Sequence, residues 1–180
     1  MPYGANLREK KRRGKFGHTV LYPIGDTYVY NYYPDDNYGA ASVLSLYWGD
    51  SSDHQEILLN FNLSSLVGTI KKATLKLKRQ RSLIATDLQS GIKYIKSAWD
   101  ASTVTYNTLP TIDSNIYDYH LNVDGEYENW DVTEIIQNVM SGIITDFNGF
   151  YIFAEDGVYA DDLFYPSSVP YGKPILEIAI

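Results

Sequence analysis

Residues 71–78 read KKATLKLK, and from Lys72 onward polar and apolar residues alternate without a break. In an extended chain successive side chains point to opposite faces, so Ala73, Leu75 and Leu77 share one face and Lys72, Thr74, Lys76 and Lys78 the other. One oily and one charged face make a half-buried antiparallel strand. The lysines are of the kind that guards an exposed sheet edge against pairing.

Segments of similar length recur from residue 19 onward, with turn residues between them. They are 27–32, 42–47, 56–60, 72–77, 92–95, the flanks of Trp130, 149–153 and 174–180. None alternates with a long helix, so the pattern predicts an all-β, antiparallel β-sandwich. One short helix is expected near residues 131–141, from DVTEIIQNVMSG. Asp131 is placed to cap it, Glu134 to close a capping box, and Ile135, Ile136, Val139 and Met140 form its apolar stripe. Gly142 is placed to end it in the left-handed conformation. The two acids read as a cap rather than a catalytic dyad.

The chain has 180 residues, 44% of them apolar and 14% aromatic, and no cysteine. That length suits one domain, burying roughly 70% of its unfolded surface. Neither disulfides nor thiolate metal sites can hold it together. No apolar run approaches the roughly 20 residues of a membrane span, and no apolar segment follows the first basic residues as in a secretory signal. The expectation is a chain made in the cytoplasm, with no membrane partner.

The net charge of −7 is unevenly distributed. Residues 8–15, REKKRRGK, hold six of the fifteen basic residues and one of the twenty-two acidic ones, which leaves −12 on the rest. The organisation predicted is a basic arm over residues 1–18 and a sandwich over residues 19–180. Arg8, Lys10, Lys11, Arg12, Arg13 and Lys15 would dock the arm on an acidic protein partner or on phosphates, while the acidic body disfavours nucleic acid.

Residues 22–39, YPIGDTYVYNYYPDDNYG, carry six of the seventeen tyrosines. If the strand runs through residues 27–32, Tyr28, Tyr30 and Tyr32 line one of its faces. A sugar ring can stack on such a ladder, because its C–H face is apolar while the phenol oxygens stay free for its hydroxyls. The same ladder fits a sandwich interior or a protein interface. Candidate contact residues are Tyr30, Tyr32, Tyr33, Tyr47 and Trp48, for a polysaccharide or a protein partner. The turn PDDNYG is explained by Asx side chains bonding their own backbone, with Gly39 taking the conformations others avoid. A calcium site is the alternative, with Asp35 and Asp36 joined by Asp161 and Asp162; no other cofactor is suggested.

His54, between Asp53 and Glu56 in sequence, reads as a solvated residue rather than a metal ligand. No Ser–His–Asp order, HExxH, phosphate loop or dinucleotide fingerprint occurs, so enzymatic activity is the class least supported.

Five segments in order resemble the DNRLRE-type domains, a family of β-sandwich modules similar to carbohydrate-binding modules. They are DTYV with the following NYG, FNLSSLVGTIKKATLKLK, SAWDASTVTYNTLP, NWDVTEIIQNVMSG and KPILEIAI. Asn62 stands where that family usually has Asp, Tyr106 where it usually has Trp, and PSSVPYGKP replaces a Ser-Ser-Glu-like segment. The resemblance implies a jelly-roll-like sandwich without catalytic machinery. Two functions follow as expectations. The first is a structural or attachment protein at the exterior of a virion, such as a phage capsid or tail decoration, or of a cell, docked through the arm. The second is a stand-alone polysaccharide-binding module.

Overall fold

A computed structural model describes residues 17–49, 53–82, 89–121, 125–155 and 160–180. The docking arm, Arg8 to Lys15, lies outside these residues. The strands are β1 (His18–Leu21), β2 (Pro23–Tyr30), β3 (Leu44–Trp48), β4 (His54–Phe61), β5 (Lys72–Ser82), β6 (Gln89–Tyr94), β7 (Asp118–Leu121), β8 (Tyr127–Asp131), β9 (Phe150–Ala154), β10 (Ala160–Phe164) and β11 (Ile175–Ala179). The helix α1 (Thr133–Met140) follows β8, and a 3-10 turn covers Tyr106–Thr108. Every strand ladder among the described residues is antiparallel, as the alternating pattern predicts.

The segment KKATLKLK opens the 11-residue strand β5. Its first half lies between β11 and β8, and its second half pairs with β10. Leu75 sits opposite both Leu176 and Trp130, and all three are wholly buried. The lysines therefore do not guard an edge. They face outward from an interior strand, where Lys76 meets Glu177 at 2.6 Å and Lys78 meets Glu126 at 2.8 Å.

Two layers enclose the main core. One is β1–β11–β5–β8; the other is built on β4, flanked by β2, β9 and β3, and continues through β6 to β7. Ala73, Leu75, Leu77, Trp130, Leu176 and Ile178 from the first layer meet Ile57, Leu59, Ile92, Phe150 and Ile152 from the second. A second cluster forms from Val29, Leu58, Ile95, Val104 and Tyr151, with Trp99, Tyr106, Leu109 and Ile112 packed against it. Leu58 alternates with Ile57 and Leu59, so β4 is apolar on both faces and the segment 96–112 covers the second one.

The helix begins one residue later than a cap at Asp131 suggests. Val132 stands at the N-cap position, and Asp131, one residue before it, still accepts the free N–H of Thr133 at 2.9 Å, as its sequence predicts. Glu134 stays exposed and closes no capping box. The Thr133 hydroxyl accepts the Ala73 N–H at 3.0 Å, which fixes the start of the helix to the start of β5. That attachment outweighs a solvent-facing box, because Ile135 and Ile136 must reach the core. Gly142 ends the helix at φ +75°, as expected of a left-handed cap.

Candidate functional site

The tyrosine-rich segment does not continue as a strand to Tyr32. Asn31 closes the ladder, with its N–H donating to the His54 carbonyl at 3.2 Å and its side-chain oxygen accepting the His54 N–H at 2.7 Å. Strand β4 starts at His54, so among the described residues the ladder ends there, and the chain turns with Asp36 N–H bonded to Tyr33 O at 3.1 Å. The tyrosines still gather. Tyr30 stacks on Tyr32 at 6.0 Å and meets Tyr33 edge-on at 5.5 Å, and Tyr32 and Tyr33 meet edge-on at 4.9 Å. Tyr28 stacks on Tyr38 at 4.4 Å and packs against the core. Burial, with Tyr38 and Asp161 nearby, pushes the Tyr28 hydroxyl up to about 12.

Exposure divides these rings by role. Tyr32 is 59% exposed and Tyr33 52%, while Tyr30 is half-buried behind them. Tyr47 and Trp48 are half-buried too, and Trp48 gives one face to the His54 ring, 4.9 Å away and 8° from parallel.

The turn after the tyrosines is a docked structure. Asn37 accepts the Gly39 N–H at 3.1 Å, the Asx bond its sequence predicts. Its amide also donates to the carbonyls of Ala101 at 2.9 Å and Val104 at 2.6 Å. Asp35 accepts from the Asn107 side chain at 2.8 Å, and the Asn107 N–H reaches Pro34 O at 2.9 Å. The segment covering β4 thus carries the turn that presents Tyr32 and Tyr33.

His54 departs from the solvated residue expected. It lies on β4, with Trp48 on one side and Tyr106 on another, and its Nε2 is 3.2 Å from the Tyr106 hydroxyl and 3.6 Å from Glu56. The tyrosine at position 106 supplies a hydroxyl that a tryptophan would not. Burial holds the Glu56 carboxyl above its ordinary value, more than its bond to Tyr151 and the charges of His54 and Lys93 lower it. Glu56 Oε2 is buried without a hydrogen-bond partner.

The four carboxylates proposed for calcium are placed differently from one another. Asp35 and Asp36 are exposed on the turn. Asp161 is half-buried on β10, 3.4 Å from the Ser45 hydroxyl, and burial raises its pKa. Asp162 is buried and paired with Arg79 at 3.2 Å, so that carboxylate already has its cation. Among the described residues no three histidine or acidic side chains converge as a metal site requires.

An antiparallel sandwich that displays tyrosine rings from a rigidly docked turn has the form of a β-sandwich binding module. Residues 18–162 match the profile of carbohydrate-binding module family 96, and the chain belongs to that family. The match upholds the coarser part of the sequence resemblance, a carbohydrate-binding-module-like domain. No curated protein matches the chain. Strand β11 lies beyond the matched stretch, yet it fills the place between β1 and β5.

Proposed function

We propose that this protein is a non-catalytic, polysaccharide-binding module that holds a glycan against the exposed rings of Tyr32 and Tyr33, with Tyr30 supporting them. The observation that carries the reading is membership of carbohydrate-binding module family 96. The chemistry of the surface agrees with it. Two tyrosines more than half exposed offer flat apolar area to a sugar's C–H face, and each carries a hydroxyl suited to its polar groups. Both rings are already held by contacts with Tyr30, so stacking orders little that is not ordered beforehand. The DNRLRE-type likeness of the five segments points the same way. Asp35 and Asp36 border this surface in sequence and are the residues through which calcium would act on it.

Attachment to a virion or cell surface through Arg8, Lys10, Lys11, Arg12, Arg13 and Lys15 draws on the charge of that arm alone. Such docking is compatible with a glycan-binding body. The arm expected over residues 1–18 overlaps β1 at His18, which pairs with Ala179, so the deletion that spares the sandwich is residues 1–16, and it leaves glycan retention intact on this reading.

The test is retention on immobilised polysaccharides of the full chain and of a Tyr32→Ala, Tyr33→Ala double variant. A loss of about 1–3 kcal/mol per stacked ring is expected, by analogy with bases stacked on aromatics. Equal retention by both chains would remove these rings from the site.

A further inference from the structure

The outer face of the layer β1–β11–β5–β8 carries a second aromatic surface, away from the tyrosine turn. The strand registers set Ile175, Lys76 and Asn129 in one row across β11, β5 and β8, and Lys78 with Tyr127 in the neighbouring row. Two cavities of about 490 and 410 Å³ open here, and Tyr127 and Ile175 line both. The two therefore adjoin and make one groove. Tyr22, Pro170, Gly172 and Lys173 line its first part, and Lys76, Asn129 and Glu177 its second. Tyr22 is 57% exposed and Tyr127 38%.

The groove has a constructed wall. Gly172 adopts φ +93°, and a Cβ there would lie 2.7 Å from Lys78 Cδ and 2.9 Å from Tyr165 Cδ2. Only glycine lets the turn pass so close to β5. Lys78 Nζ in turn stands 5.8 Å from the centre of the Tyr127 ring. Cavities of several hundred Å³ with an aromatic side chain and a few placed polar groups are the usual form of a small-ligand site.

Its charge is compensated along β5, and Lys173 adds one further positive charge at the turn. Lys76 is paired with Glu177 at 2.6 Å and Lys78 with Glu126 at 2.8 Å, so the groove offers hydrogen-bond donors and acceptors side by side. Sugar hydroxyls need both, since each donates one bond and accepts others. A polyanion would have to approach a body that carries −12 outside the arm. We infer that the Tyr127 groove binds an uncharged polysaccharide, one pyranose ring stacking on Tyr127 while its hydroxyls bond to Asn129 and the Lys76–Glu177 pair. The inference rests on the polysaccharide-binding reading above and adds to it a second site and a substrate class.

Electrophoresis of the full chain through gels containing hydroxyethylcellulose, galactomannan or polygalacturonate tests it, beside Tyr127→Ala, Tyr127→Phe and the Tyr32→Ala, Tyr33→Ala variant. Thermal melting confirms that each variant is folded. The expected result is retardation by a neutral polysaccharide that weakens about tenfold or more in Tyr127→Ala and persists in Tyr127→Phe. Retardation equal to wild type in Tyr127→Ala overturns the groove site and leaves the family-based reading standing. Retardation by polygalacturonate alone overturns the uncharged class. No retardation of the wild-type chain in any gel overturns the inference and the polysaccharide-binding reading together.

Discussion

The side-chain amide of Asn37 donates to the carbonyl of Val104 at 2.6 Å, across 67 positions of sequence. This bond and its neighbour to Ala101 join the turn that carries the exposed tyrosines to the segment that covers β4. Asn37→Ala removes both donors and leaves two carbonyls to find water. A loss of about 1–3 kcal/mol in urea-unfolding free energy is expected. Asn37→Asp keeps the acceptor for Gly39 and loses the donors, so it should be nearly as unstable. A fully stable Asn37→Asp would mean that the turn is held by its own Asx bond.

Arg79 lies between Glu128 at 2.8 Å and Asp162 at 3.2 Å, and all three side chains are more than nine-tenths buried. Arg79→Met leaves two buried carboxylates without their shared cation. Unfolding titrations should show a loss of about 3–5 kcal/mol, the cost of an uncompensated buried charge rather than the net worth of the pairs. Adding Glu128→Gln and Asp162→Asn should recover much of it.

Glu56 sets a pH dependence with a definite sign. Burial raises its carboxyl above the ordinary 4.5, so the folded chain holds this proton more tightly than the unfolded chain. Its contribution to stability is then greatest below that value and declines as pH rises through the folded pKa. Asp161, also raised by burial, acts with the same sign, so wild type and variant must be compared at each pH. Glu56→Gln can still accept the Tyr151 hydroxyl and carries no buried charge. Melting temperatures between pH 4 and pH 8 should show the variant gaining on wild type as pH rises. A constant difference would place the cost of Glu56 elsewhere.

Where structure depends on neighbours in sequence, it was legible. KKATLKLK shows its two faces through period alone, and the apolar stripe of α1 is equally local. Strand β10, ADDLF, could not be read this way, because two aspartates argue against a strand. What permits it is Arg79, 83 positions from Asp162 and bonded to it. The tyrosine segment misleads in the opposite sense, since its alternation runs on to Tyr32 while the pairing strand ends the ladder at Asn31. The neighbour that stacks on Trp48, His54, comes from the next strand, a contact no local pattern shows. Tyr127 has no local signal, because its groove exists only once three strands are set in register.

Among the described residues Tyr32 and Tyr33 are both exposed and joined mainly to other tyrosines, so they can be changed at little structural expense. Tyr32→Ala and Tyr33→Ala should each shift stability by no more than about 0.5 kcal/mol, as surface substitutions do. Calorimetric melting of the two variants checks this. A larger loss would mean that the rings serve the fold rather than a ligand.

The most direct measurement is retention of the full chain on a panel of immobilised polysaccharides, with calcium and with a chelator, beside a chain lacking residues 1–16. Saturable retention of both chains on at least one polysaccharide is the predicted result, with calcium dependence appearing only if Asp35 and Asp36 serve a metal. Retention of neither chain on any of them would contradict the account.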